Sequence, residues 1–319
     1  MITAKRRKKL RAMVKDIGID AVAEKEGLKR ESVRRYVRNE GDDASGPDVQ
    51  HVNVLLRRIE EMYTPGELKA LANGAMPKVL GVRPIHDFRG KTITIGAMSD
   101  THLGSKYTNP DFVQMAFDEF ARAEVDFVTI GGDVSEGFSH RDGHVYECTH
   151  IGYASQKAHS VEVLSQWTDT EIYMIDGNHD RWYVKRSGAY IVQDICAEIP
   201  NAKFIGCDEG DIELAPGVIL KLWHGEDSSS YALSYRLQKI IESFTGGEKP
   251  AVLFAGHVHK MIHCFIRHVH CVSTGSIQKQ TKWMRAKRIP AHTGFWIVDL
   301  DVNDKGIASC RAKWFPFYV

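Results

Sequence analysis

No stretch of this sequence approaches the ~20 consecutive apolar residues that a bilayer-spanning helix requires, so no membrane span is expected. The first nine residues are basic, but no apolar run follows them. A secretory leader is therefore not expected, and a cytoplasmic protein is. Cysteine is sparse: the 319 residues hold six, at 148, 196, 207, 264, 271 and 310, none in a CxxC pair. That spacing argues against a zinc knuckle or a disulfide frame and for reduced thiols. No internal repeat or low-complexity tract is present either. Net charge is only +1, but it is unevenly spread. Residues 1–40 carry 13 Lys and Arg against 6 Asp and Glu. That leaves about −6 for the remainder, as in a basic module for a polyanion joined to a near-neutral body. Hydrophobic residues make up 43%, enough for one large domain with a real core and a small one beside it.

What the sequence does contain is one device used five times. An apolar, strand-like run ends in a polar corner bearing His, Asp or Asn. Residues 172–176 end in Gly177-Asn178-His179-Asp180, and Gly177 is expected to permit a sharp turn there. Residues 92–99 end in Asp100-Thr101-His102. Residues 127–130 end in Gly131-Gly132-Asp133. Residues 218–223 end in His224-Gly225, and residues 251–254 end in Gly256-His257-Val258-His259. Scattered core histidines would not recur with that phase. In sheets covered by helices, chemistry gathers at the carboxyl ends of strands.

Ahead of these runs, Leu10, Met13, Val14 and Ile17 fall at helical spacing and predict a helix over 5–17 that Gly18 ends. Asp20 is placed to cap a second helix containing Ala21, Val22 and Ala23. A turn at Gly27 leads to a third helix, which would bury Val33, Tyr36 and Val37. Ala23, Gly27 and Val33 match helix-turn-helix spacing: a small residue for close crossing, a turn, a buried anchor. On that reading residues 1–40 form a DNA-binding module and 29–38 enter the major groove. Lys29, Arg30, Arg34, Arg35 and Arg38 would reach phosphates or guanine edges. The plainer alternative is a small bundle for homo-oligomerisation with a solvated basic face. Residues 41–90 read as a Gly- and Asp-rich linker at 40–47 followed by a helical connector: one helix ends near Met62, another is capped by Thr64.

From Lys91 to the end, strands alternate with helices near 110–123, 155–167, 187–198 and 230–243. Phe112, Met115, Ala116, Phe117 and Phe120 are expected to form the buried face of the first of these helices. After Gly256 only strands follow, over 261–268, 270–275, 293–302 and 306–317, with a turn at 303–306. Strand-helix units followed by a β-rich tail predict an α/β fold of two sheets packed face to face, flanked by helices.

Asp100, His102, Asp133, Asn178, His224, His257 and His259 are too many ligands for one ion. A carboxylate has two oxygens, so Asp133 can bridge two ions that share a water. Imidazole with carboxylate suits manganese, iron or zinc better than calcium or magnesium, and manganese is the expected ion. Such a pair would polarise a phosphate ester and acidify water near neutral pH.

These motifs resemble the calcineurin-like metallophosphoesterase superfamily. All five of its signatures, D-x-H, G-D, G-N-H-D, H-G and G-H-x-H, stand in family order over residues 92–275. The resemblance implies a sandwich of two mixed sheets flanked by helices over 91–319. It implies a first ion on Asp100, His102, Asp133 and His259, and a second on Asp133, Asn178, His224 and His257. His179 matches the family's non-ligand histidine, which hydrogen-bonds the phosphate or protonates the leaving oxygen, with Asp180 behind it to orient it.

The superfamily's protein phosphatases carry G-D-x-x-D-R-G. Here the run from Gly132 to Gly137 lacks that arginine, and Arg181 does not replace it, so protein phosphatase activity is not expected. The wording around Asp100 and Asn178 looks more like the DNA-processing branch. The basic amino-terminal module leans the same way, as does a second basic run in which Trp283 stands among Lys279, Lys282, Arg285, Lys287 and Arg288. Trp283 could stack a base there, or pack on the body in an ordinary loop. His140, Arg141 and His144 could touch substrate or line a surface loop. His263, His268 and His270 read as packing or surface residues. The expected activity is a metal-dependent phosphodiesterase, a DNA nuclease. The alternatives are a phosphomonoesterase or nucleotide phosphodiesterase, and a DNA-binding regulator with a ligand-sensing phosphoesterase domain.

Overall fold

The structure, a computed structural model, describes residues 4–37, 81–139, 141–226, 232–245 and 248–317. The linker and helical connector expected over 40–75, together with Arg38 and His140, lie outside the described residues. The chain divides into two units, Met1–Pro77 and Lys78–Val319.

The first unit contains α1 (Ala4–Ile17), α2 (Ile19–Lys25) and α3 (Arg30–Val37). Leu10, Val22 and Val33, one from each helix, form its buried centre, with Met13, Val14, Ile19, Ala23 and Leu28 around them. The breaks fall where a left-handed backbone is needed, at Gly18 (φ 81°) and at Gly27 (φ 63°). Two expectations change. Asp20 does not cap α2: Gly18 holds that position, and Asp20 lies in the first turn, 2.8 Å from Arg30 Nε. Ile17 is 47% exposed, because the chain breaks at Gly18 and Ile19 packs against the core instead.

The second unit is built on two mixed sheets. In the six-stranded sheet, β1 (Thr92–Met98), β2 (Phe127–Gly131), β3 (Glu171–Asp176) and β4 (Ala202–Cys207) run parallel. β10 (Gly294–Asn303) and β11 (Gly306–Pro316) add antiparallel, giving the order β11-β10-β1-β2-β3-β4. The five-stranded sheet joins β5 (Glu209–Ala215), β6 (Val218–Trp223), β7 (Val252–Ala255), β8 (Met261–Ile266) and β9 (Val269–Thr274) in the order β5-β6-β7-β9-β8. β6, β7 and β9 are parallel, and the two edge strands antiparallel.

Three apolar clusters make this a four-layer sandwich. Between the sheets lie Ile95, Phe127, Tyr173 and Ile175 of one sheet and Leu220, Leu222, Phe254 and Val272 of the other. On the outer face of the larger sheet, α4 (Pro110–Arg122), α5 (Tyr153–Leu164) and α7 (Ile191–Glu198) bury Phe117, Phe120, Leu164 and Ile195 against Val128, Ile130 and Met174. On the outer face of the smaller sheet, α8 (Leu233–Ser243) sets Leu237 and Ile241 on Leu253 and Cys271. Two short α-helices, α6 (Arg181–Ser187), directly after the third motif, and α9 (Lys282–Ala286), and a 3-10 turn at His144–Glu147 lie in the loops.

Of the face expected on α4, Phe112, Ala116, Phe117 and Phe120 are buried, and one residue differs. Val113 is buried and Met115 is half exposed, since Val113 sits three before Ala116 on the inward face. β4 and β5 were not anticipated. They are short strands on either side of a single residue, Asp208, whose φ of 61° turns the chain from one sheet to the other. The basic run at 279–288 is not a loop: Thr281 accepts a hydrogen bond from Met284 N at 3.1 Å and starts α9, with Met284 buried beneath it.

Candidate functional site

The five motifs leave the carboxyl ends of β1, β2 and β3 in one sheet and of β6 and β7 in the other, and they meet over the seam between the sheets. Their loops are laced together. Asp100 N donates to Gly132 O (3.0 Å) and His102 N to Asp133 O (2.9 Å). Both Asp100 oxygens accept from His257 N, at 3.1 and 3.0 Å, and Ser99 Oγ donates to Asp100 Oδ2 at 2.6 Å.

Asp100, His102, Asp133, His257 and His259 all hold positive φ, between 44° and 78°. Such backbone costs on the order of 1–3 kcal/mol per residue and persists only where surrounding contacts enforce it. Gly177 leads into the expected turn at 178–180 without taking a positive φ. What it supplies is room: a Cβ there would meet Asp133 Oδ1 at 2.2 Å and Asp133 N at 2.4 Å. Gly177→Ala is expected to cost about 1–3 kcal/mol in urea unfolding and to remove most aryl-diester turnover, because Asp133 would have to shift.

The side chains gather into two groups of donor atoms. In the first, His259 Nε2 lies 3.1 Å from Asp100 Oδ1 and 3.2 Å from His102 Nε2, which is 3.7 Å from Asp133 Oδ2. In the second, His224 Nε2 lies 3.1 Å from Asp133 Oδ2 and 3.3 Å from Asn178 Oδ1, which is 2.8 Å from His257 Nδ1. Asp133 Oδ2 lies between the two groups, nearer the second. The His224 tautomer is set from the far side, where Nδ1 lies 2.7 Å from Gly131 O and donates to it. Its Nε2 is therefore the atom turned toward two oxygen acceptors, Asp133 Oδ2 and Asn178 Oδ1. His102 and His259 likewise turn ring nitrogens on each other. Buried ring nitrogens and carboxylate oxygens that converge at these distances are a donor set a cation can take in place of protons, and nitrogen with carboxylate oxygen suits a divalent transition ion. Among the described residues, Asp100, His102 and His259 form one group able to hold an ion, and Asp133, His224 and His257 another.

The charges show the same crowding. Burial opposes ionisation of Asp100, yet the His259 ring brings its pKa down to about 2. Burial also works against a charge on His224, but Asp133 carries that ring up to about 9. Burial and the neighbouring His224 push His257 down to about 4.

His179 sits beside this pair of groups. Its N donates to Asp133 Oδ1 (2.8 Å), and its ring packs on Trp182 with centroids 4.0 Å apart. The partner that orients it is not Asp180. His179 Nδ1 lies 2.7 Å from Glu136 O, which leaves Nε2 free to face the cavity. The Asp180 carboxylate instead accepts from Val134 N, Ser135 N, Ser135 Oγ and Gly177 N at 2.7–3.0 Å. It braces the second motif against the third. Burial, then Asp133, raises its pKa.

Sequence reasoning passed over Glu136. It is buried, with Oε2 3.1 Å from His102 Nδ1, bent out of hydrogen-bond alignment, and Oε1 2.9 Å from His144 Nε2. Gln278 Nε2 also donates to Oε2, at 3.0 Å. These contacts hold the carboxylate well below its usual pKa despite burial. A carboxylate behind a ligating histidine fixes its ring and raises its basicity. Glu136→Gln is expected to weaken metal affinity about 10–100-fold, read by manganese titration of activity. His144, read as either a substrate contact or a surface-loop residue, is buried and serves Glu136 instead. Arg181 is engaged by Asp208 and by Glu226 at 2.8 Å, so it does not reach toward the cavity as a phosphate clamp.

A cavity of about 690 Å³ opens over the site. His102, Asp133, Asn178, His179, His257 and His259 line its floor, while Trp182, Trp283, Met284, Lys287 and Ile289 line its walls. Trp283 is 46% exposed, with Lys287 Nζ 5.3 Å above its ring. In the first unit Lys29, Arg30 and Arg34 are exposed. Arg35 lies in α3, and nothing further is described of its side chain.

A family model for calcineurin-like phosphoesterases matches residues 93–261. Among curated proteins, the DNA polymerase II small subunit of Methanothermobacter thermautotrophicus is 21% identical over 245 residues, 61% of this chain and 50% of that protein. The chain thus spans about half the length of that relative. Among solved structures, a novel archaeal phosphodiesterase is 16% identical, with TM-score 0.42, over 70% of this chain and 100% of its own. The E. coli phosphoesterase Yfce is 18% identical, with TM-score 0.37, over 69% of this chain and 98% of its own.

Proposed function

The chain belongs to the calcineurin-like phosphoesterase family, and from that premise we propose that it is a nuclease, hydrolysing phosphodiester bonds of DNA with two divalent ions. The observation that carries the hydrolase half is the shared Asp133 oxygen between two groups of inward-facing donors. Asp100, His102, Asp133 and His259 would hold one ion, and Asp133, Asn178, His224 and His257 the other. When bound, such a pair supplies Lewis acidity and a nucleophile at neutral pH. Manganese is the ion we propose.

The protein's own groups do the rest. His179, with Nδ1 fixed on Glu136 O, presents Nε2 to the phosphate or the leaving oxygen. Glu136 holds the His102 ring. Asp180 keeps the second and third loops at fixed spacing. Trp182 and Trp283 shape the approach.

Three features support DNA. α1 to α3 form a compact basic unit whose Lys29, Arg30 and Arg34 face solvent, and the helix-turn-helix reading of 1–40 is retained as part of the proposal. Trp283 with Lys287 pairs a stacking surface with a cation at the cavity wall, as single-strand binding requires. The DNA polymerase II small subunit similarity points to the same substrate. The cavity volume favours a second reading, a nucleotide phosphodiesterase, because about 690 Å³ suits a single small ligand.

One assay separates the two. Protein with manganese is given labelled linear, circular and single-stranded DNA beside nucleotide esters. Cleavage of a DNA form is the expected result. Turnover of nucleotide esters with all DNA intact would replace the first reading with the second.

A further inference from the structure

A second group of metal-binding side chains lies away from the cavity. β8 is an edge strand of the five-stranded sheet and β11 an edge strand of the six-stranded one. β8 and β9 form a tight hairpin whose two turn residues, Arg267 and His268, both take positive φ (46° and 68°), the geometry of a two-residue primed turn. In its register His263 faces Val272 and His270 faces Phe265. His263 and His270 are therefore diagonal neighbours on one face. That face is the inner one, because Val272 and Met261 pack in the core between the sheets. Cys310 of β11 packs against the same core from the opposite sheet.

We propose that His263, His270 and Cys310 bind one zinc ion, which clips the edge of one sheet to the edge of the other. One ligand atom from each lies within 4.8 Å of the other two. Cys310 Sγ is 3.6 Å from His263 Nε2. In a tetrahedral zinc site, usual zinc–sulfur and zinc–nitrogen bond lengths place those two atoms about 3.5 Å apart. The set is soft sulfur with two imidazoles, which selects zinc over magnesium, calcium or manganese. His263 is exposed, so water can complete the fourth position.

The protonation states are favourable. Burial lowers the pKa of His263 and, with His263 beside it, that of His270, leaving both rings neutral and able to donate a lone pair. Burial pushes the Cys310 thiol up to about 11, so zinc must displace its proton. Binding is then written as zinc ion plus thiol giving zinc thiolate plus one proton. A clip here would also tie together the edge strands of the two sheets.

Cobalt(II) is the probe, because a thiolate ligand gives a near-ultraviolet charge-transfer band that a site built of oxygen and nitrogen does not. Full-length protein, first saturated with manganese, receives one equivalent of cobalt(II). The expected band appears, is displaced by zinc, and is lost in Cys310→Ser and in His263→Ala. It persists in His102→Ala, which disables the cavity site only. Zinc should also shield one thiol from a thiol reagent in the wild-type protein, which tests the site even if a variant fails to fold. Absence of both the band and the shielding would overturn the proposal. So would a band that survives Cys310→Ser, which would move the ligand to Cys264 or Cys271 on the other face of the hairpin.

Discussion

Asp133→Asn is expected to abolish manganese-dependent hydrolysis of an aryl phosphodiester, lowering kcat/KM by about 10³-fold or more. The argument rests on position. Asp133 Oδ2 stands 3.1 Å from His224 Nε2 and 3.7 Å from His102 Nε2, so its charge serves both donor groups. Its Oδ1 accepts from His179 N at 2.8 Å and fixes the loop that carries the proposed acid. An amide keeps the shape but removes the negative charge from both groups together. Metal ions supply several kcal/mol of transition-state stabilisation in such sites, which is a factor of about 10³ or more. His102→Ala should behave alike through the first group alone. Circular dichroism unchanged from wild type, with turnover lost, is the expected pair of readings. Full turnover in both variants would end the two-ion proposal.

Removal of residues 1–46 is expected to leave aryl-diester turnover within about twofold and to weaken DNA binding about 10²–10³-fold at low salt. The deleted part has its own core of Leu10, Val22 and Val33 and falls within a unit distinct from the one bearing the cavity. It also carries most of the positive imbalance, with 13 Lys and Arg in the first 40 residues. If these side chains meet phosphates, each released counterion adds to the slope of log affinity against log salt. The truncated protein should therefore show a shallower slope as well as a weaker affinity. An unchanged slope and affinity would remove the amino-terminal helices from the DNA reading. Arg34→Ala in the full chain, an exposed change away from that core, should move both in the same direction by a smaller amount.

The candidate site was legible in the sequence because its parts are local. Each donor stands one to five residues past an apolar run, and five repetitions fixed its place at strand ends. The two-sheet architecture followed from the switch between strand-helix units and a strand-only tail. Glu136 was not legible in the same way. Its role depends on His102 from one loop, His144 from another and Gln278 from a third, and no spacing along the chain predicts that meeting. Asp180 was misread for a related reason. Its place next to His179 suggested a partner, but its side chain turns the other way, to backbone N–H groups at 134 and 135. β4 and β5 match β6 and β1 in length, but Lys203 in one and Glu209, Asp211 and Glu213 in the other break the apolar run that marked the rest. The left-handed backbone at five donor positions had only a faint sequence signal, since none of the five is glycine and Asp and His merely enter that region more often than most residues.

Both donor groups draw on both sheets. Asp100, His102 and Asp133 stand on one side with His259 opposite, and Asp133 and Asn178 face His224 and His257. The spacing within each group is therefore set by how far apart the sheets are held, which is the thickness of the layer containing Tyr173, Phe254 and Leu222. That layer acts as a gauge block for coordination geometry. Thinning it by a single methylene, far from any donor, should register first as a change in which ion the protein prefers, before any change in the overall shape of the molecule.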